Sequence, residues 1–152
     1  MVKIDEIFMQ EALKEAKKAF QEDEVPVGCV IVYKGNIIAR GYNQVERLKD
    51  PTAHAEMLAL TSATHYLNSK WLNEVSLYVT IEPCSMCAGA MVLARIQKLI
   101  YGAADPKTGG CGSATNIVNN KKLNHRIAVK KGIFEKECGA LLTEFFRKKR
   151  AI

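Results

Sequence analysis

Long apolar runs are missing from this chain of 152 residues. A helix that spans a bilayer needs about 20 consecutive apolar residues, and residues 27–33 are typical of the longest stretches present. A secretory leader is missing too. The start of the chain has no apolar segment of that kind and carries Asp5, Glu6, Glu11 and Glu15, which also argues against an organellar transit peptide. The expectation is a cytoplasmic protein with no membrane partner. A disulfide framework is equally absent. Five cysteines is an odd number, and Cys84 and Cys87 alone stand at a recognisable spacing. In a reducing compartment such a C-x-x-C pair binds metal or cycles between redox states. Cys29, Cys111 and Cys138 read as small buried thiols. No repeat, low-complexity tract or long linker divides the chain, so residues 1–152 read as one domain with a real core. Hydrophobic content of 48% and charged content of 25% are ordinary for a globular protein.

What the chain has in excess is positive charge, and in one place. The net charge is +6. Residues 121–152 hold ten basic and three acidic residues, a net of +7, which leaves 12 basic and 13 acidic, a net of −1, for residues 1–120. The excess peaks at Arg147-Lys148-Lys149-Arg150. Such asymmetry is the electrostatic footprint of a nucleic-acid binder. A solvated C-terminal helix end carries the same pattern, because cations favour that end of the macrodipole. Charge alone does not separate the two.

Local patterning predicts alternating elements. Ile4, Phe8, Ala12, Ala16, Ala19 and Phe20 recur mostly at spacings of three and four, so residues 4–22 form an amphipathic helix that Pro26 helps to end. Residues 27–33 are a β-branched run suited to a strand covered on both faces. Lys34-Gly35-Asn36 turns the chain into a second strand over 37–42. Residues 43–51 are polar and loop-like. Thr52 is a candidate N-cap for a helix over 54–67. Strands follow over 76–80 and 98–102, with a helix over 84–95 that Pro83 opens. Residues 105–112 form a glycine-rich loop and 115–121 a short irregular or helical piece. A fifth strand is expected over 127–131. A terminal helix over 136–149 uses Cys138, Leu141, Leu142, Phe145 and Phe146. A helix, a hairpin and then helix–strand alternation predict an α/β protein, a three-layer α/β/α sandwich around a mixed sheet of about five strands.

The chemistry is concentrated in His54-Ala55-Glu56 and Pro83-Cys84-Ser85-Met86-Cys87. Cysteines at i and i+3 share one face of a helix turn, so both thiolates can meet one metal ion. His54 supplies a third ligand and leaves a coordination position for water, the arrangement of a catalytic zinc. Glu56 stands where a carboxylate could handle that water's protons without being a ligand. His-x-Glu followed by Pro-Cys-x-x-Cys is the established signature of zinc nucleobase deaminases. A structural zinc would require a fourth protein ligand, and Cys29, Cys111, Cys138, His65 and His125 lack characteristic spacing. A thioredoxin-like pair would leave His-x-Glu without a purpose. Each half of the signature opens a predicted helix, where partial positive charge and free N–H groups favour thiolates.

Beyond that signature, the chain resembles the bacterial tRNA-specific adenosine deaminases of the cytidine-deaminase-like superfamily. The resemblance runs nearly end to end and is carried by EVPVG (24–28), GYN (41–43), DPTAHAE (50–56), LYVTIEPCSMCAGAM (77–91), YGAADPKTGGCGS (101–113), LNHR (123–126) and ECGALLTEFFRKKR (137–150). It implies one Zn2+ per subunit on His54, Cys84 and Cys87, with Glu56 as proton shuttle. It also implies substrate binding by Asn43, Asp105, Ala55 and Val25, and a homodimer. The implied reaction converts adenosine to inosine at the wobble position of a tRNA anticodon, commonly that of an arginine tRNA. The departures are Pro106 after Asp105, and Gly110-Cys111 where small residues are more usual. RNA-contact candidates are Lys107, Phe145, Phe146, Arg147, Lys148, Lys149 and Arg150. One of the two phenylalanines is expected to face the core and the other RNA or a partner subunit.

Overall fold

The computed structural model describes residues 3–151. The ends of the expected 1–152 domain, residues 1, 2 and 152, lie outside those described. Five strands form one mixed sheet: β1 (Gly28–Tyr33), β2 (Asn36–Tyr42), β3 (Val75–Ile81), β4 (Lys98–Ala103) and β5 (Ala128–Lys131), in the order β2-β1-β3-β4-β5. The β1 strand runs antiparallel to β2 and β3, while β3, β4 and β5 are mutually parallel neighbours. Helices α1 (Ile4–Gln21) and α5 (Glu135–Arg150) cover one face, and α3 (Ala55–Leu67) and α4 (Ser85–Leu93) the other.

The apolar runs are continuous because both faces are covered. Side chains alternate across a strand, so Cys29 and Ile31 join the core under α3 and α4 while Val30 and Val32 join the core under α1. Leu99 and Tyr101 likewise part from Ile100. Met9, Ile31, Leu77 and Leu99 are fully buried, and each such side chain stabilises the fold by about 1.5–3 kcal/mol. The predicted three-layer sandwich is the fold observed.

Several local expectations need correction. Ile4 was expected on the buried stripe of α1 but is 66% exposed. The stripe that reaches the sheet is Met9, Ala12, Ala16 and Ala19, whose spacings of three and four define a single helix face; Ile4 lies beyond it. Glu15 is buried in the same helix and pairs with Lys18 and Arg40. The 43–51 segment is not all loop, because it contains the one-turn helix α2 (Val45–Leu48). Its Glu46 and Arg47 N–H groups donate to the buried Glu24 carboxylate at 3.0 and 2.7 Å. Thr52 is not an N-cap. Its hydroxyl and N–H both donate to Asp50 Oδ1, an Asx turn, and His54 occupies the cap position of α3. The helix expected over 84–95 is shorter at both ends. Cys84 is its cap, which places Pro83 before the helix, and Arg95 at φ 62° lies outside its end. Residues 115–121 are irregular, and β5 is a strand, although all four of its residues are exposed.

Candidate active site

The starts of α3 and α4 meet beside the ends of the parallel strands β3 and β4, the usual place for a site in an α/β sheet. Gly41 in β2 lets α3 lie close, since a Cβ there would sit 2.4 Å from Ala55 O. His54 and Cys84 are both cap residues with extended backbone, and Cys87 follows in the first turn of α4. His54 Nδ1 lies 3.6 Å from the sulfur of Cys84 and 3.6 Å from that of Cys87. All three ligand atoms fall within 4.8 Å of one another, and this trio is the whole cluster among the described residues. His65 and His125 stand apart from it; His125 Nε2 is 2.6 Å from Ile96 O.

The Cys87 hydrogen bond, helped by His54, pulls the Cys84 thiol down to about 4. Cys87 moves the other way, held up by its hydrogen bond to Cys84 and by burial. The neighbouring Cys84 also raises His54. One thiolate therefore forms readily, and the second ionises when a cation offsets the first. Two sulfurs and one imidazole suit a borderline-soft divalent ion.

Glu56 is 3% exposed, and burial drives its carboxyl up to about 7. The Cys84 charge adds to that rise, while its own backbone N–H, His54 and Cys87 oppose it. Cys29, Cys111 and Cys138 are buried free thiols, as expected.

A cavity of about 820 Å³ opens onto this corner. Val25, Asn43, Ala55, Glu56 and Asp105 all line it. Asn43 is buried and its N–H donates to Val27 O. The Asp105 carboxylate turns towards its own loop, accepting from the N–H groups of Lys107 and Thr108 and from the Thr108 hydroxyl. Phe145, Phe146 and Lys149 line the same cavity, whereas Lys107, Arg147, Lys148 and Arg150 do not. Phe145 is buried against Phe20 and Phe146 is 42% exposed, so the pair is split between core and surface. Three of the four tail cations already have partners. Arg147 pairs with Glu144, Lys149 with Asp23 at 2.6 Å, and Lys148 lies over the Phe20 ring.

Sequence reasoning missed Glu82 and Glu24, which also line the cavity. Both are almost fully buried, at 3% and 2% exposure, and bind backbone N–H groups of neighbouring segments. The available signal was a carboxylate set against an apolar strand, Glu24 before β1 and Glu82 after β3.

Comparison with known proteins agrees with this geometry. Residues 4–150 match the MafB19-like deaminase family. The tRNA-specific adenosine deaminase of Aquifex aeolicus (strain VF5) is 52% identical over 95% of this chain and 95% of its own length. That of Bacillus subtilis (strain 168) is 48% identical over 96% of this chain and 91% of its own. A solved structure from studies of A-to-I editing by tRNA deaminases at the wobble position of transfer RNA has a TM-score of 0.87 and 43% identity. That match covers 90% of this chain and 99% of the other. The chain belongs to the tRNA-specific adenosine deaminase family.

Proposed function

We propose that this member of the tRNA-specific adenosine deaminase family is a zinc-dependent hydrolase that converts adenosine to inosine at the wobble position of a tRNA anticodon, with arginine tRNA as substrate. One observation carries the reading: the His54, Cys84 and Cys87 cluster lies beside a buried Glu56 at a cavity of about 820 Å³. That volume is in the range of small-molecule pockets. The same proposal takes the chain as a single deaminase domain acting as a cytoplasmic homodimer.

His54, Cys84 and Cys87 would hold the zinc. When bound there it supplies a Lewis acid that lowers the pKa of water from 15.7 to about 7. Glu56 accepts a proton from the attacking water and passes it to a ring nitrogen, then takes the proton of the new hydroxyl and delivers it to the amino group, which departs as ammonia while the carbonyl of inosine forms. A single carboxylate serves each step because the transfers occur in sequence. Its raised pKa, near 7, suits both directions of transfer. The net change is adenosine plus water to inosine plus ammonia. Asn43, Ala55, Val25 and Asp105 form the walls around the base. That base must leave its stack, which costs least in a single-stranded anticodon loop. Phe146 and Lys149 at the cavity, with Lys107, Phe145, Arg147, Lys148 and Arg150 around it, meet the rest of the RNA.

The test is incubation of purified protein with tRNA, followed by sequencing that reads inosine as an A-to-G change. Free guanine, cytosine and cytidine are assayed in parallel. Ammonia from a free base or nucleoside, with no inosine in tRNA, would overturn the proposal in favour of a small-molecule deaminase.

A further inference from the structure

We propose that Glu82 is a positioning residue that anchors the 105–113 loop and so shapes the substrate-binding wall, without taking part in proton transfer; this rests on the function proposed above. Glu82 directly follows β3, its N–H donating to Ala103 O at the end of β4 at 2.8 Å. Its carboxylate is buried and is not part of a salt bridge among the described residues. Its partners are all donors from one loop. Oε1 accepts from Asp105 N–H at 3.0 Å and from the Ser113 hydroxyl. Oε2 accepts from Cys111 N–H at 3.0 Å and Ser113 N–H at 3.1 Å.

An ionised carboxylate offers about four lone-pair sites, and four donors fill them. Glu82 lines the cavity but has no acceptor left for a substrate or a water proton. Glu56 differs, because it lines the cavity next to the His54, Cys84 and Cys87 trio instead of lying under a loop. The contrast separates a group that moves protons from a group that holds backbone.

The loop depends on this anchor. Residues 104, 106–108 and 112–116 are exposed, so apolar burial holds little of it in place. It lies flat on the carboxylate: a Cβ on Gly109 would fall 2.3 Å from Glu82 Cδ. Gly110 N–H donates to Pro83 O at 2.7 Å, which joins the loop to the start of the cysteine segment. Through these bonds Glu82 fixes Asp105 and Thr108, the two loop residues at the cavity.

Glu82→Gln tests this. The amide nitrogen would face N–H donors and forfeit the bonds on one side. The expected result is a KM for anticodon stem-loop RNA raised roughly tenfold, with kcat changed by less than about threefold. Bound metal stays at the wild-type stoichiometry. In the free protein, amide exchange at Asp105, Cys111 and Ser113 accelerates. Ser113→Ala removes one of the four contacts, that of the hydroxyl, and keeps the backbone N–H, with little risk to folding, and should move KM and exchange in the same direction by less. The double variant should fall short of the product of the single effects. Unchanged exchange at Cys111 and at the backbone N–H of position 113 in both variants would overturn the proposal. So would a kcat loss with unchanged KM. Exchange is read without substrate, so failure of the wild type to edit tRNA would refute the proposed function separately.

Discussion

The two ends of the cavity are built by opposite means. At one end His54, Glu56, Cys84 and Cys87 sit at the starts of helices packed on a buried sheet, and their side chains perturb one another strongly. At the other end Phe146 and Lys149 sit on the last turns of α5, where Phe146 is 42% exposed and Lys149 is already paired with Asp23. Bond-making needs groups held in place and shielded from water. Gripping a polyanion needs charges that can reach it and exchange partners. Changes at the first end should therefore be large and nearly all-or-none, and changes at the second small and salt-dependent.

The largest effect is expected from losing the metal. Chelation, or Cys87→Ala, should abolish inosine formation and lower the melting temperature, because a site that binds only the folded chain adds its binding free energy to stability. Metal content by elemental analysis and a thermal melt check both. A chelated protein with full activity would remove the basis for treating the buried corner as the reactive end.

Next in size is Glu56→Gln, which should cut single-turnover inosine formation by about 10²–10⁴-fold while metal content and RNA affinity hold. The same variant has a stability signature in the metal-free protein. The folded carboxyl of Glu56 is raised from 4.5 to about 7. Folded protein thus retains a proton that unfolded protein has released, and the associated stability is lost as pH rises through that window. Metal-free Glu56→Gln should match the wild type near pH 4 and exceed it at pH 8. Equal melting temperatures at pH 8 would show that Glu56 is not strained by burial.

This division also explains what could be read from the chain beforehand. Spacing within one turn of a helix brings Cys84 to Cys87, and alternation of elements dictates the sheet, so both were legible. The register of α1 was less so, because apolarity alone does not tell that Ile4 lies off the Met9, Ala12, Ala16 and Ala19 stripe that reaches the sheet. Glu24 and Glu82 were not legible as anchors. Their donors lie 22 to 31 positions away and are backbone N–H groups, apart from the Ser113 hydroxyl, and a backbone donor leaves no mark in a sequence. The tail stayed ambiguous for a related reason: Asp23 and Lys149 are separated by 126 positions, so the counter-charge that occupies the lysine is invisible until the chain folds.

The smallest effect is the most direct test of that end. Exposed ion pairs contribute little, so under the proposed function RNA phosphate would displace Asp23 from Lys149 at small cost, and the pair would act as a weak brake on binding. Asp23→Asn should tighten anticodon stem-loop binding by about twofold at 0.15 M salt, and Lys149→Ala should weaken it by about two- to threefold with a shallower salt slope. Neither should alter the single-turnover rate at saturating RNA, since neither touches the trio or Glu56. A titration over several salt concentrations decides the matter. If Asp23→Asn weakens binding, the aspartate contributes to holding Lys149 in a productive place, and the tail end would then be preorganised in the same sense as the metal end.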